Sequence, residues 1–250
     1  MIDLSAYLAR IAYSGPTQPD LETLRSLHRA HLLSVPFENL DISQHRPIVC
    51  EEERFVRKVV QLRRGGFCYE LNGAFAALLR AIGFSVILLS ARVSRRDGSD
   101  GPEFDHLALR VDLDEPWLAD VGFGDSFLDP LRLTSGVEQE QDVGKFRIQP
   151  RGAEDLVMQR FDSNPAWKDQ YVFTLTPRAL SDFAGMCQYH QTSPKSSFTQ
   201  NTLCSIAMPE GRITLSGNRL IVSRKQQREE RTLAEGESQA VLREYFGVIL

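Results

Sequence analysis

RGGFCYELNGAFAALLRAIGF, residues 64–84, holds a chain breaker, a helix and a helix stop in succession. Leu71, Phe75, Leu78 and Leu79 recur at three- and four-residue spacing, which predicts a helix over 68–82 with one apolar face. Gly83 is the residue type that ends such a helix, and Arg63-Arg64-Gly65-Gly66 breaks the chain before it. Cys68 therefore falls at or near a helix N-terminus. Upstream, 3–13 and 20–34 carry the same periodicity, with Asp20 as a capping residue and Pro36 beyond the end. EEERFVRKVVQL, 51–62, is a further helix whose acidic first turn and later basic residues suit the helix dipole.

After Phe84 the period changes. FSVILLSARV (84–93), HLALRVDL (106–113) and PWLADVGF (116–123) alternate or run apolar in short pieces, as strands of an antiparallel sheet or barrel do. A polar, Gly-rich loop spans 94–105, and short strands are expected at 145–149, 155–161 and 170–175. Residues 178–190 read as helical. Strands at 202–207, 212–216 and 219–223 follow, separated by PEG and SGN turns, and SQAVLREYF (238–246) closes the pattern as a helix. The chain is thus α+β, helical first, β-rich second and mixed last, with boundaries expected at 83/84 and 177/178.

The 250 residues carry 29 basic and 33 acidic side chains, a formal charge of −4, so no basic groove for nucleic acid is indicated. With 42% hydrophobic and 25% charged residues, the composition is that of a globular protein rather than a disordered one. No apolar run of membrane-spanning length occurs, and Asp3 and Arg10 interrupt what a signal peptide would need, so no membrane partner and a cytoplasmic location are expected. Four cysteines, at 50, 68, 187 and 204, form no CxxC pair.

Of the four, Cys68 has the setting of a nucleophile. Free N–H groups at a helix start favour a thiolate, and the two glycines before it allow close approach of another backbone or a substrate. Cys50, Cys187 and Cys204 lack such surroundings and are read as structural. A thiol needs a base, and of five histidines His106 opens a strand, whereas His28 and His31 lie on a helix and His45 in a loop. The third member should be a carboxylate from a neighbouring strand, and Asp120 ends the PWLAD strand. Taken alone it reads as a turn aspartate. The order Cys, His, Asp on helix start, strand and adjacent strand is that of papain-like and transglutaminase-like thiol enzymes. No metal site is expected, because no close ligand pair accompanies Cys68 and His106. The two glycines of DVGFGDS (120–126) are either a bare turn or a pair of backbone N–H groups presented to a phosphate.

VPFENLDI (35–42), RGGFCYELNGAFAALLRAIGF (64–84), DHLALRV (105–111) and WLADVGFGD (117–125) closely resemble the arylamine N-acetyltransferase family, and the resemblance runs on to the terminal FGVIL (246–250). It implies a helical domain (1–83), a β-barrel domain (84–177) and an α/β lid (178–250). It implies a triad of Cys68, His106 and Asp120, acetyl-CoA as donor, and arylamines, arylhydrazines or N-hydroxyarylamines as acceptors. In such a protein Phe37 and Phe123 line the acceptor pocket, Val93 and Phe198 border it, and Gly122 and Gly124 lie toward the CoA pyrophosphate. Glu38 and Arg64 are implied to form a buried ion pair bracing the nucleophile helix. Set beside eukaryotic members, with their extended tail and lid insertion, the resemblance implies a short bacterial form, and the alternative is a related amide synthase that transfers or cyclises a polyketide acyl chain onto an aromatic amine.

Overall fold

The computed structural model describes residues 2–162, 166–224 and 227–250. Helices α1 (Leu4–Arg10) and α2 (Leu21–Ser34) start on Asp3 and Asp20, whose carboxylates accept the N–H groups of Ala6 and Thr23. The first stops short of residue 13 because Ala12 takes a left-handed φ of 52°. A two-residue strand, β1 (Phe37–Glu38), and a single turn, α3 (Leu40–Ser43), follow. The expected helix over 51–62 is present but not uniform: α4 (Glu52–Val56) widens into a π-helical turn at Arg57–Gln61, where Lys58 is buried. Helix α5 (Cys68–Ile82) has its expected bounds and ends on Gly83 at φ 109°. It is buried along most of its length, so it forms the spine of the core rather than an amphipathic surface helix.

Strands β2 (Ser85–Val93), β3 (His106–Asp112), β4 (Pro116–Ala119), β5 (Leu131–Arg132), β6 (Gln139–Gln141), β7 (Gly144–Arg151), β8 (Asp155–Asp162) and β9 (Ala166–Phe173) form one antiparallel sheet, in the order β5-β4-β3-β2-β9-β8-β7-β6. Its edges nearly meet. The Gln139 side chain bonds both main-chain groups of Arg132, and Gln141 bonds Leu128 and Asp129, so side chains bridge where no ladder does. The strand expected at 116–123 ends at Ala119, and the one expected at 170–175 begins already at Ala166.

Period-two alternation gives β3 two jobs. Leu107, Leu109 and Val111 pack with Leu71, Phe75 and Leu78 of α5, while Ala108 points into the barrel with Leu89, Phe146, Met158 and Tyr171. His106 shares the parity of Ala108, which turns its ring toward Tyr171.

A 3-10 turn at Leu180–Phe183 leads into α6 (Ala184–Thr192), and α7 (Ser197–Gln200) follows. Strands β10 (Leu203–Met208), β11 (Gly211–Ser216), β12 (Arg219–Arg224) and β13 (Gln227–Thr232) then make a second antiparallel sheet with β1 at its other edge. Helix α8 (Glu237–Phe246) covers it through Val241, Leu242 and Phe246. Neither β1 nor β13 was expected. The first is too short to show a period, and the second, QREERT, is exposed throughout and held by pairing with β12 rather than by burial.

Candidate active site

Cys68, His106 and Asp120 come from three elements, the first residue of α5, the first of β3 and the position after β4, and they converge in a buried cluster. Their exposures are 3%, 3% and 1%. His106 Nε2 lies 2.7 Å from Asp120 Oδ2, which leaves Nδ1 for Cys68, whose thiol the neighbouring imidazole favours in its ionised form. The other carboxylate oxygen, Oδ1, accepts Asn72 Nδ2 at 2.8 Å and the Gly122 N–H at 2.9 Å. Asn72 is itself fixed, since its Nδ2 also reaches Leu107 O at 2.6 Å and its Oδ1 accepts the Val121 N–H at 2.9 Å.

The electrostatics follow from this chain of contacts. Burial works to raise the Asp120 carboxyl, but the charge and hydrogen bond of His106, with the Asn72 and Gly122 donors, hold it below the usual carboxylate range. Burial likewise works to lower His106, yet the Asp120 charge beside it and the contact with Cys68 push it up to about 10. For Cys68, burial prevails and raises the thiol, against the pull of His106. The helix N-terminus alone therefore does not make a thiolate here. A proton leaving sulfur has a base of high affinity beside it, held there by a buried carboxylate.

The loop after Asp120 is shaped around the cysteine. A Cβ on Gly122 would come within 2.8 Å of Cys68 Cα and 2.7 Å of Asn72 Nδ2, so only glycine fits. Gly124, at φ 91°, turns the chain back beside Phe37. The ring of Phe123 meets His106 nearly edge-on, centroids 5.2 Å apart at 80°, and lies 5.1 Å from Tyr171. Val93 ends β2 in register with Tyr171 on the same side. Phe37 and Phe198 form a separate aromatic group, 6.2 Å apart, with Phe198 edge-on to Phe67 at 5.7 Å. The structure thus places Phe123 and Val93 at the barrel side and Phe37 and Phe198 at the α5 side.

Beneath the helix start is a buried charge network. Arg64 Nη2 lies 2.8 Å from Glu38 Oε1 and 3.1 Å from Asp41, and Lys58 Nζ lies 2.7 Å from both Asp41 and Glu70. Glu70 Oε2 accepts the Phe67 N–H at 3.1 Å, capping α5 at the nucleophile end. Burial lifts the Glu70 carboxyl to about 7 against the pull of Lys58. Gly65 is needed for this arrangement because a Cβ there would overlap the Pro36 carbonyl. Cys187 and Cys204 are buried and Cys50 is half-buried, and the Cys187 thiol reaches Ile48 O at 3.8 Å. Among the described residues no group of three or more metal-ligating side chains converges, and no helix is long and apolar enough to cross a membrane.

Sequence reasoning missed three residues around Asp120. Asn72 was visible as a polar residue inside an apolar helix, a mismatch that signals a partner. Tyr171, whose phenol burial and the Asp120 charge push well above its ordinary value, looked like one more strand aromatic. His28 lies on a helix with no local sign of a role, yet its Nε2 accepts the Asp120 N–H at 3.0 Å.

A buried thiol, imidazole and carboxylate in line, at a site bounded by aromatic rings, is an arrangement suited to acyl-group transfer, and a family model described as N-acetyltransferase matches residues 20–250. Arylamine N-acetyltransferase of Escherichia coli is 37% identical over 216 residues, covering 85% of this chain and 76% of that protein. The solved arylamine N-acetyltransferase of Salmonella typhimurium superposes with a TM-score of 0.93 at 32% identity, covering 99% of this chain and 92% of the other. That of Mycobacterium marinum, solved in complex with CoA, gives 0.92 at 32% identity, with 98% and 93% covered. The chain belongs to the arylamine N-acetyltransferase family.

Proposed function

We propose that this chain transfers the acetyl group of acetyl-CoA to the nitrogen of arylamines and arylhydrazines, and to the oxygen of N-hydroxyarylamines, through an acetyl-Cys68 intermediate in a cytoplasmic setting. The observation that carries the reading is the Cys68–His106–Asp120 line, with His106 Nε2 2.7 Å from the carboxylate. In the first half-reaction the Cys68 proton passes to His106 Nδ1, and sulfur attacks the thioester carbonyl. The C–S bond to CoA breaks, and the departing thiolate takes the proton from His106. In the second, the amine nitrogen attacks the acetyl-Cys68 carbonyl, His106 accepts the proton from nitrogen, and sulfur leaves to be reprotonated. Asp120 stabilises the imidazolium in both halves and is never itself protonated. The first step exchanges one thioester for another, so the acyl group stays activated for a weakly basic aromatic amine.

On this reading residues 1–83 supply the nucleophile, 84–177 the histidine and aspartate, and 178–250 the lid. Phe123 and Phe37 bound the acceptor ring, with Val93 and Phe198 at its borders. Of the two loop glycines, Gly122 spends its N–H on Asp120, so the role toward the CoA pyrophosphate falls to Gly124. A route for the donor is at hand: Ala207 and Arg212 border both the small space against Phe37, Val121 and Gly124 and a cavity of about 690 Å³ between the second sheet and the barrel.

The test is mass spectrometry of the protein after acetyl-CoA, with Cys68→Ser as the control. One acetyl group on Cys68, absent from the folded serine variant, is the expected result. A label on Cys50, Cys187 or Cys204 in its place overturns the assignment.

A further inference from the structure

His28 lies on the inward face of α2, fully buried, and takes part in none of the steps above. Its two nitrogens reach the two ends of one loop. Nδ1 is 2.7 Å from Leu128 O, and Nε2 is 3.0 Å from the Asp120 nitrogen. A carbonyl only accepts and an amide N–H only donates, so the ring is the neutral Nδ1–H tautomer. Burial lowers its pKa and keeps it neutral, although Asp120 and Asp129 face it and pull the other way; His31, the other titratable group beside it, is also held neutral by burial. The ring is stacked on Phe127, centroids 5.6 Å apart at 11°, and meets Phe75 edge-on at 5.9 Å. It has no freedom to turn away.

The bracketed segment, 121–127, carries Gly122, Phe123 and Gly124. At its start the β4 ladder has run out, since the last residue paired with β3 is Ala119. Asn72, Gly122 and His106 hold the Asp120 side chain, but the Asp120 main-chain N–H is held by His28.

We propose that His28 is a positioning residue: by accepting the Asp120 N–H and donating to Leu128 O it closes the 120–128 loop at both ends and keeps the Asp120 carboxylate in line with His106. The role rests on Cys68 being the nucleophile. An apolar residue at 28 leaves a buried N–H and a buried C=O without partners, and the loop must shift to satisfy them. Any shift at Asp120 loosens its bond to His106 and lowers the imidazole's proton affinity, which in turn lowers the ionised fraction of the Cys68 thiol.

The experiment measures three things in wild type, His28→Leu and His28→Gln: single-turnover acetylation by acetyl-CoA, the pH midpoint of Cys68 alkylation by iodoacetamide, and the melting temperature. Expected for His28→Leu is acetylation slower by about tenfold to a hundredfold and a midpoint moved upward from that of wild type. Glutamine, which offers one acceptor and one donor, recovers most of the rate and the wild-type midpoint. Should the leucine variant not fold, His28→Met, whose flexible chain fills the same space, takes its place. A lowered melting temperature with wild-type rate and midpoint overturns the positioning role, and so does failure of both apolar variants to fold, which makes His28 a residue of the fold itself. A wild-type protein whose Cys68 takes no acetyl group overturns the nucleophile reading instead.

Discussion

Replacing Asp120 by Asn changes one atom, and the consequence can be worked through from its neighbours. Oδ1 faces two donors, Asn72 Nδ2 at 2.8 Å and the Gly122 N–H at 2.9 Å, so in the variant that position must remain the carbonyl oxygen. The amide NH₂ is then forced to the Oδ2 position, 2.7 Å from His106 Nε2, and donates where the carboxylate accepted. His106 answers by putting its own proton on Nδ1, the nitrogen that should take the Cys68 proton. The base is lost without loss of packing. In the serine-protease counterpart the same exchange costs about 10⁴ in rate, equivalent to about 5.4 kcal/mol of barrier. A similar loss is expected here in single-turnover acetylation of Cys68, followed by mass spectrometry, with near-wild-type circular dichroism. Retention of more than a tenth of the rate would show that the tautomer is set by another group, and the chain of reasoning from Asp120 to sulfur would fail.

Phe123→Ala should raise the acceptor KM about twofold to tenfold, the equivalent of an aromatic contact of 0.5–1.5 kcal/mol, while acetylation by acetyl-CoA alone changes little; equal slowing of both steps would place the ring in the donor site or the fold. Gly122→Ala drives a methyl group against the Cys68 backbone and should cost about 1–3 kcal/mol in denaturant unfolding, with activity falling further than stability. Arg64→Gln breaks a buried pair, but Lys58 remains 2.7 Å from Asp41 and 4.0 Å from Glu38, so a loss near the lower end of the usual 3–5 kcal/mol, about 3, is expected; an unchanged urea midpoint would show that Lys58 carries the network alone. The pH dependence has two arms. His106 is raised, so its pairing stabilises fully below its ordinary value near 6.5 and is lost as pH rises through about 10, whereas Asp120 is lowered, so its share is present above 3.8 and lost on further acidification. Asp120→Asn should flatten both arms of the melting-temperature profile relative to wild type.

Local regularities determined much of this protein before any folding. The three- and four-residue spacing of Leu71, Phe75, Leu78 and Leu79 with Gly83 after them marked out α5, and the strings around Cys68, His106 and Asp120 carried the family. Those signals are legible because capping, periodicity and glycine conformational freedom act between residues close in the chain. Tertiary structure decided what depends on neighbours remote in sequence. Cys68 looked like a thiol activated by its helix, but burial raises it, and its ionisation depends on His106, 38 positions away. The glycines of DVGFGDS leave a bare turn and a phosphate cradle equally open in the sequence, and the fold directs the Gly122 N–H to Asp120. His28 looked ordinary because its partners, Asp120 and Leu128, are 92 and 100 residues distant. β1 and β13 gave no period to read, since one is two residues long and the other lies wholly exposed on the edge of a sheet that residues 37 and 38 complete. A hydrogen bond between remote residues leaves no spacing in the sequence, which is why the identities of the reacting groups could be read from it and the groups that hold them in line could not.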